Sequence, residues 1–266
     1  MQRADLGDVQ INYVIEGSDT APTLVFAQGL GCDLRIWEEV VERLPKSLRI
    51  LRYDLRGHGQ SSCPEPPYRM GNLVRDSERL LDHLNIRDSL FIGHGLGGMV
   101  AQGLAIKRLD QIRAMVLSNT AAKLGMADMW ETRSAQVLGH GVSALEQDTM
   151  KRWFTRAFLK SNEIAPWRDM FLSQPENGYA GSCAAIAGTD FYTPTSGLRL
   201  PALGIAGTED GVTPADLVRE TVGLIPGSDV AIVRRAGHLP SVEQPDTYTQ
   251  LLMEFIDRTG HLGIAR

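Results

Sequence analysis

Short, nearly uninterrupted apolar runs recur at residues 23–29 (TLVFAQG), 48–54 (LRILRYD), 89–95 (SLFIGHG), 112–120 (IRAMVLSNT), 201–207 (PALGIAG) and 229–235 (DVAIVRR). Runs of this length, ending in Gly, Asp, Asn or a charge, predict strands covered on both faces, as in a parallel sheet. Between them, apolar residues recur at helical spacing over 36–44, 71–84, 96–108, 215–225 and 246–258. Strands alternating with helices predict an α/β protein built on a mostly parallel, doubly wound sheet. Residues 9–17, VQINYVIEG, alternate apolar and polar positions and are expected to add antiparallel strands at one edge.

The alternation stops between about 121 and 196, where three stretches (123–139, 143–161 and 163–174) read as amphipathic helices separated by Gly, Pro and Asn. The expected organisation is a core formed by 1–120 and 197–266, with 121–196 inserted as a helical cap. Trp130, Trp153 and Trp167 lie in that cap, placed either to line a pocket or to pack cap against core.

Composition narrows the function classes. The chain is 266 residues long, 43% hydrophobic and 22% charged, values ordinary for a globular protein, and its net charge of −5 offers no footprint for nucleic acid. No apolar run approaches the roughly 18 to 20 residues needed to span a bilayer, so no membrane partner is expected. The opening MQRADLGDVQ lacks the apolar centre of a signal peptide, which makes a cytoplasmic location the expectation. Three scattered cysteines and six histidines show no metal-ligand spacing, and no metal or cofactor is expected. A small molecule is the expected partner, and the pattern sets no oligomeric state.

In open α/β sheets the reactive groups lie on loops beyond the carboxyl ends of the strands. Those loops carry Gly29-Leu30-Gly31, Gly95-Leu96, Glu209-Asp210 and Gly237-His238. Residues 89–103, SLFIGHGLGGMVAQG, have the strand, glycine-crowded turn and helix of a nucleophile elbow, G-x-S-x-G, except that the middle position is Gly95. Asp210 and His238 follow in the chain order of an acid and a base. His238 would act as general base and then general acid, with Asp210 fixing its tautomer. The N–H groups of Leu30 and Leu96 would face a developing oxyanion. Two substitute nucleophiles near the motif, Cys32 and Ser241, lie outside the elbow that aims the attacking atom. Asp54, Arg56 and His58, in YDLRGHGQSS, read as a structural turn whose polar groups satisfy one another, and His94 is expected to support the elbow.

With these residues in hand, the chain resembles the α/β-hydrolase superfamily through GLG (29–31), DLRGHGQS (54–61), GHGLGG (93–98), AGTEDGVTP (206–214) and AGHLPSVEQP (236–245). Within it the chain is similar to the 3-oxoadipate enol-lactonase family through GLGCDLRIWEEVVERL, VLSNTAAKLGMADMWETR, RWFTRAF, NGYAGSCAAIAGTDFY and HLPSVEQP. The resemblance implies an α/β-hydrolase fold and opening of an enol-lactone by a serine, an acid and a histidine, as in the β-ketoadipate pathway of aromatic catabolism. Carried over by position, the serine falls on Gly95, the acid on Asp210, the histidine on His238 and the oxyanion donors on Leu30 and Leu96. The implied substrate bears a carboxylate, for which Arg133, with Trp130 beside it, is the candidate partner against the alternative of an exposed helix arginine. Three further readings stay open: a ligand-binding protein on a hydrolase fold, a hydrolase in which the His238 and Asp210 pair activates water, and a cofactor-independent oxygenase or lyase.

Overall fold

The structure, a computed structural model, describes residues 2–263; residue 1 and the last three residues of the expected core segment 197–266 lie outside the described residues. Eight strands form one sheet: β1 (Gln2–Asp5), β2 (Gln10–Glu16), β3 (Thr23–Ala27), β4 (Arg49–Tyr53), β5 (Ser89–His94), β6 (Ile112–Ser118), β7 (Ala202–Gly207) and β8 (Asp229–Val233), in the order β1-β2-β4-β3-β5-β6-β7-β8. β1 and β2 form an antiparallel edge against β4, and every other neighbouring pair is parallel. β3, β4, β5 and β7 are buried at every position, which is why β3, β5 and β7 are nearly continuous apolar runs, while β4 (RILRY) buries Arg49 and Arg52, paired with Asp19 and Glu16.

Core helices α1 (Glu38–Arg43), α2 (Met70–His83) and α3 (Leu96–Lys107) flank the first half of the sheet. α2 buries Met70, Leu73, Val74, Leu80 and Leu81 along one face, whereas α3 is apolar nearly all round and lies buried against β5 and β6. Between β6 and β7 every described element is helical, the α-helices being α4 (Ala127–His140), α5 (Glu146–Trp153), α6 (Arg156–Leu159), α7 (Ala165–Leu172), α8 (Glu176–Ala187) and α9 (Tyr192–Ser196). The chain then returns to the sheet, adding α10 (Ala215–Gly223), α11 (Pro240–Glu243) and α12 (Pro245–Arg258).

Two features of the inserted segment differ from the sequence pattern. The helix expected over 143–161 is broken: α5 ends at Trp153, Phe154 is extended (φ −122°, ψ 150°), and Thr155 caps α6 by accepting from Phe158 N–H. Phe154 is buried and the Thr155 backbone bonds to Glu243, so tertiary contacts override the local helical period here. α8 has no periodic signal because it is built from small residues buried on most sides. At Gly178 a Cβ would lie 1.9 Å from the Gly57 carbonyl oxygen, so only glycine lets α8 approach the 54–62 loop this closely.

The sheet order reverses between β3 and β5: β4 lies outside β3, and β6 outside β5. Such a switch point opens a crevice beyond the strand ends. Register places Ala27 beside Gly93, and His94 beside Ser118, so the loops after β3, β5 and β6 meet there.

Candidate active site

Gly95 stands between β5 and α3 with φ 51° and ψ −115°, a backbone conformation that costs glycine little. Its N–H donates to Ser118 O (3.0 Å), its carbonyl accepts from Thr120 Oγ1 (2.6 Å), and Gly97 N–H donates to Gln28 O (3.1 Å). The four glycines of GHGLGG are not equivalent. A Cβ would lie 2.3 Å from Gly97 O at Gly93, 2.4 Å from Ala27 O at Gly97 and 2.5 Å from Thr120 Cγ2 at Gly98. Those three positions require glycine for close strand-to-helix packing. At Gly95 a Cβ would meet nothing nearer than Gly29 Cα at 3.5 Å and would point toward His238 Nε2, 3.7 Å away. Space for a side chain exists there, aimed at the His238 imidazole.

His238 follows β8 and is 5% exposed. Its Nδ1 donates to Asp210 Oδ2 (2.9 Å), leaving Nε2 turned toward Gly95. Asp210, after β7, is heavily bonded: Oδ2 also accepts from Asn119 Nδ2 (2.8 Å) and Thr213 Oγ1 (2.7 Å), and Oδ1 from Val212 N–H (2.7 Å) and Thr213 N–H (3.0 Å). Burial pushes the carboxyl pKa up, but attraction to an imidazolium at His238, together with these donors, outweighs it and lowers the pKa to about 2.

That shift has a consequence for stability. A folded pKa below the ordinary carboxylate value stabilises the folded state fully above about pH 4, and the contribution disappears as pH falls through about 2. It amounts to about 2 kcal/mol. Urea unfolding between pH 5 and pH 2 is expected to show this acid-labile increment and to lose it in Asp210→Asn; equal acid lability in both proteins would assign the effect elsewhere.

Sequence reasoning missed Asn119 and Thr213. Asn119 is fully buried in the left-handed region (φ 47°), a conformation Asn tolerates, and thereby turns its amide toward Asp210. The signal was the Asn that closes the β6 run, but its partner is 91 residues away in sequence.

Leu30 and Leu96 sit on the two loops beside Gly95, and among the described residues neither backbone N–H is accepted by a protein group. Leu30, Gly95, Leu96 and His238 line one side of a cavity of about 690 Å³, and Trp130, Arg133, Thr149, Trp153 and Tyr179 line it from the inserted helices. Trp167 does not line it and packs against the core. Arg133 is not an exposed helix arginine: it is half-buried, donating from Nε to Tyr179 Oη (2.7 Å) and from a terminal nitrogen to Thr149 Oγ1 (2.7 Å). Among the described residues no carboxylate pairs with it. Cys32 and Ser241 are buried and line no part of the cavity.

His94 donates from Nε2 to His238 O (2.7 Å) beneath the elbow; burial foremost, then repulsion from a charged His238, lowers its pKa to about 3. It supports the loop as a neutral ring. Asp54, Arg56 and His58 are structural, satisfied partly within the turn, where His58 Nδ1 donates to Arg56 O (3.2 Å) and Ser61 Oγ to Asp54 O (2.7 Å), and partly by residues beyond it. Asp54 accepts from Asn12, Leu34 and Gln60, Arg56 pairs with Asp76 and Asp8, and His58 Nε2 accepts from Gly31 N–H (3.1 Å). Among the described residues no group of three or more His, Cys, Asp or Glu side chains could hold a metal ion, and no helix is long and apolar enough to cross a membrane.

The family model for the alpha/beta hydrolase fold matches residues 22–245. The chain belongs to the α/β-hydrolase family. Among relatives of this hydrolase, the 3-oxoadipate enol-lactonase 2 of Acinetobacter baylyi is 34% identical over 94% of each chain. The 3-oxoadipate enol-lactonase 1 of the same organism is 33% identical over 92% of each. The crystal structure of the enol-lactonase from Burkholderia xenovorans superposes on the hydrolase with a TM-score of 0.92 at 33% identity, covering 96% of this chain and 100% of that one.

Proposed function

We propose that this protein carries the machinery of a 3-oxoadipate enol-lactone hydrolase, in which Gly95 occupies the place of the nucleophilic serine. The observation that carries the reading is the space at Gly95: of the glycines in GHGLGG it alone has room for a side chain, directed at His238 Nε2. In this reading a lactone carbonyl sits over Gly95 with its oxygen toward the N–H groups of Leu30 and Leu96. Each such donor contributes about 3 to 4 kcal/mol to stabilising the developing oxyanion. A hydroxyl deprotonated by His238, that of water here or of a serine at 95, bonds to the carbonyl carbon; the ring C–O bond then breaks, the enolate leaving group takes that proton from His238, and Asp210 stabilises the imidazolium in between.

Without a hydroxyl at position 95, no acyl-enzyme forms on the elbow. His238 can instead deprotonate a water lying over Gly95, so the chain as it stands hydrolyses slowly and without a burst. The orientation of Nε2 toward that space favours this reading over a purely ligand-binding protein, which has no need of the acid and base together. The deciding experiment restores the hydroxyl with Gly95→Ser and follows enol-lactone opening.

Arg133 is proposed to hold the substrate carboxylate. Among the described residues its guanidinium, on the cavity wall, hydrogen-bonds neutral oxygens only, so an incoming carboxylate meets a cation that no carboxylate has paired. In the serine-bearing enzyme, Arg133→Met is expected to raise KM by about 10- to 100-fold with kcat changed far less, the mark of lost uniform binding. Steady-state kinetics on the enol-lactone check this, and an unchanged KM would remove Arg133 from the carboxylate site.

A further inference from the structure

We infer that Glu243 is a positioning residue that, through Thr155, clamps the break between α5 and α6 across the loops carrying Asp210 and His238. The inserted segment reaches both loops with its backbone. Arg152 O accepts from Gly211 N–H (3.1 Å), next to the acid, and Trp153 O accepts from His238 N–H (2.7 Å), the base itself. The loops also bond directly, Glu209 N–H donating to Ala236 O (2.9 Å). Both flanking residues are glycines that let the segment pass: a Cβ on Gly237 would lie 2.4 Å from Trp153 O, and one on Gly211 3.0 Å from Arg152 Cα.

Glu243 closes the arrangement from behind. Its Oε2 accepts from Gly237 N–H (2.6 Å), and its Oε1 accepts from Thr155 N–H (3.0 Å) and Thr155 Oγ1 (2.7 Å). No lysine or arginine pairs with it among the described residues. A carboxylate shared among three neutral donors, two on one segment and one on another, holds those segments at a fixed spacing, because charge-assisted hydrogen bonds are short and directional. The residue so held, Gly237, immediately precedes His238. α5 also carries Thr149, the partner of Arg133, and Trp153, whose ring lies 6.5 Å from that of His238. The clamp therefore sets the aim of the base.

The test uses the native chain, with its glycine at position 95, labelled with ¹⁵N at histidine. The downfield Nδ1 proton of His238, bonded to Asp210, is recorded by NMR, with Asp210→Asn as the reference for its complete loss. Glu243→Gln, which replaces one acceptor by an N–H₂ facing donors, is expected to broaden or abolish this resonance while circular dichroism and amide signals remote from the clamp persist. A folded Glu243→Gln protein whose Nδ1 proton keeps its shift and width overturns the inference; if that variant does not fold, Thr155→Val decides by the same readout. A second arm rests on the proposed lactonase reading: with serine at 95, Glu243→Gln lowers kcat by about tenfold with KM within about a factor of two, since misaiming the base costs rate and not binding. An inactive Gly95→Ser enzyme would sink the lactonase reading, whereas the NMR measurement would still decide the clamp.

Discussion

Replacing Gly95 with serine is expected to raise kcat for enol-lactone opening by about 10⁵- to 10⁶-fold, because loss of the nucleophile in serine hydrolases costs about that much. Geometry supports so large a gain. A Cβ fits with 3.5 Å to its nearest neighbour and points at His238 Nε2, so the added hydroxyl meets a base already oriented by Asp210. The kinetic form should change as well as the rate: a pre-steady-state burst of ring-opened product appears, reporting an acyl-enzyme that the native chain cannot form. The gain has a cost in stability. At φ 51° an L side chain is strained, so the variant should unfold with about 1 to 2 kcal/mol less stability than the native chain. Stopped-flow kinetics and urea unfolding measure the two effects, and a folded variant with no gain in lactone turnover would remove the lactonase assignment.

The second large effect concerns the acid and base. In the serine-bearing enzyme, His238→Ala should return kcat to near the level of the native chain, a loss of about 10⁶, and Asp210→Asn should cost about 10⁴. The two losses should be strongly non-additive, since Asp210 acts through His238. In the native chain the same substitutions should remove far less rate, because only a water remains to be activated. On the proposed reading, His238→Ala is expected to abolish any slow hydrolysis there while leaving the Kd for the lactone unchanged. Losses that multiply independently in the double variant would contradict the shared role.

How much of this is legible in the sequence varies with the range of the interaction. The strands are legible because a parallel sheet buried on both faces demands continuous apolar runs, and LFIG and LGIAG meet that demand. The Asp210–His238 pair is legible because the strand order confines candidate reactive groups to a few loops, and these two residues stand on two of them. Local spacing could not find α8, whose Gly, Ala and Ser residues are selected for close approach and not for an amphipathic face. Nor could it place the break at Phe154 and Thr155, which is held open by Glu243, 88 residues further on.

By itself, the sequence determined the alternation of strands and helices, the switch-point loops, the order of Asp210 and His238 after two of the strands, and the missing side chain at 95. All of these follow from nearest-neighbour pattern: side-chain period, turn residues and position at a strand end. Only the tertiary structure decided which glycine of GHGLGG has room for a side chain, that Arg133 lines the cavity bonded to Tyr179 and Thr149, that Asn119 and Thr213 hold Asp210, and that Glu243 ties the inserted segment to Gly237 beside His238. Apart from Thr213, three residues after Asp210, and Gly97 against Gly93, these depend on distances between residues far apart in the chain, set by sheet register and backbone approach, which no local period encodes.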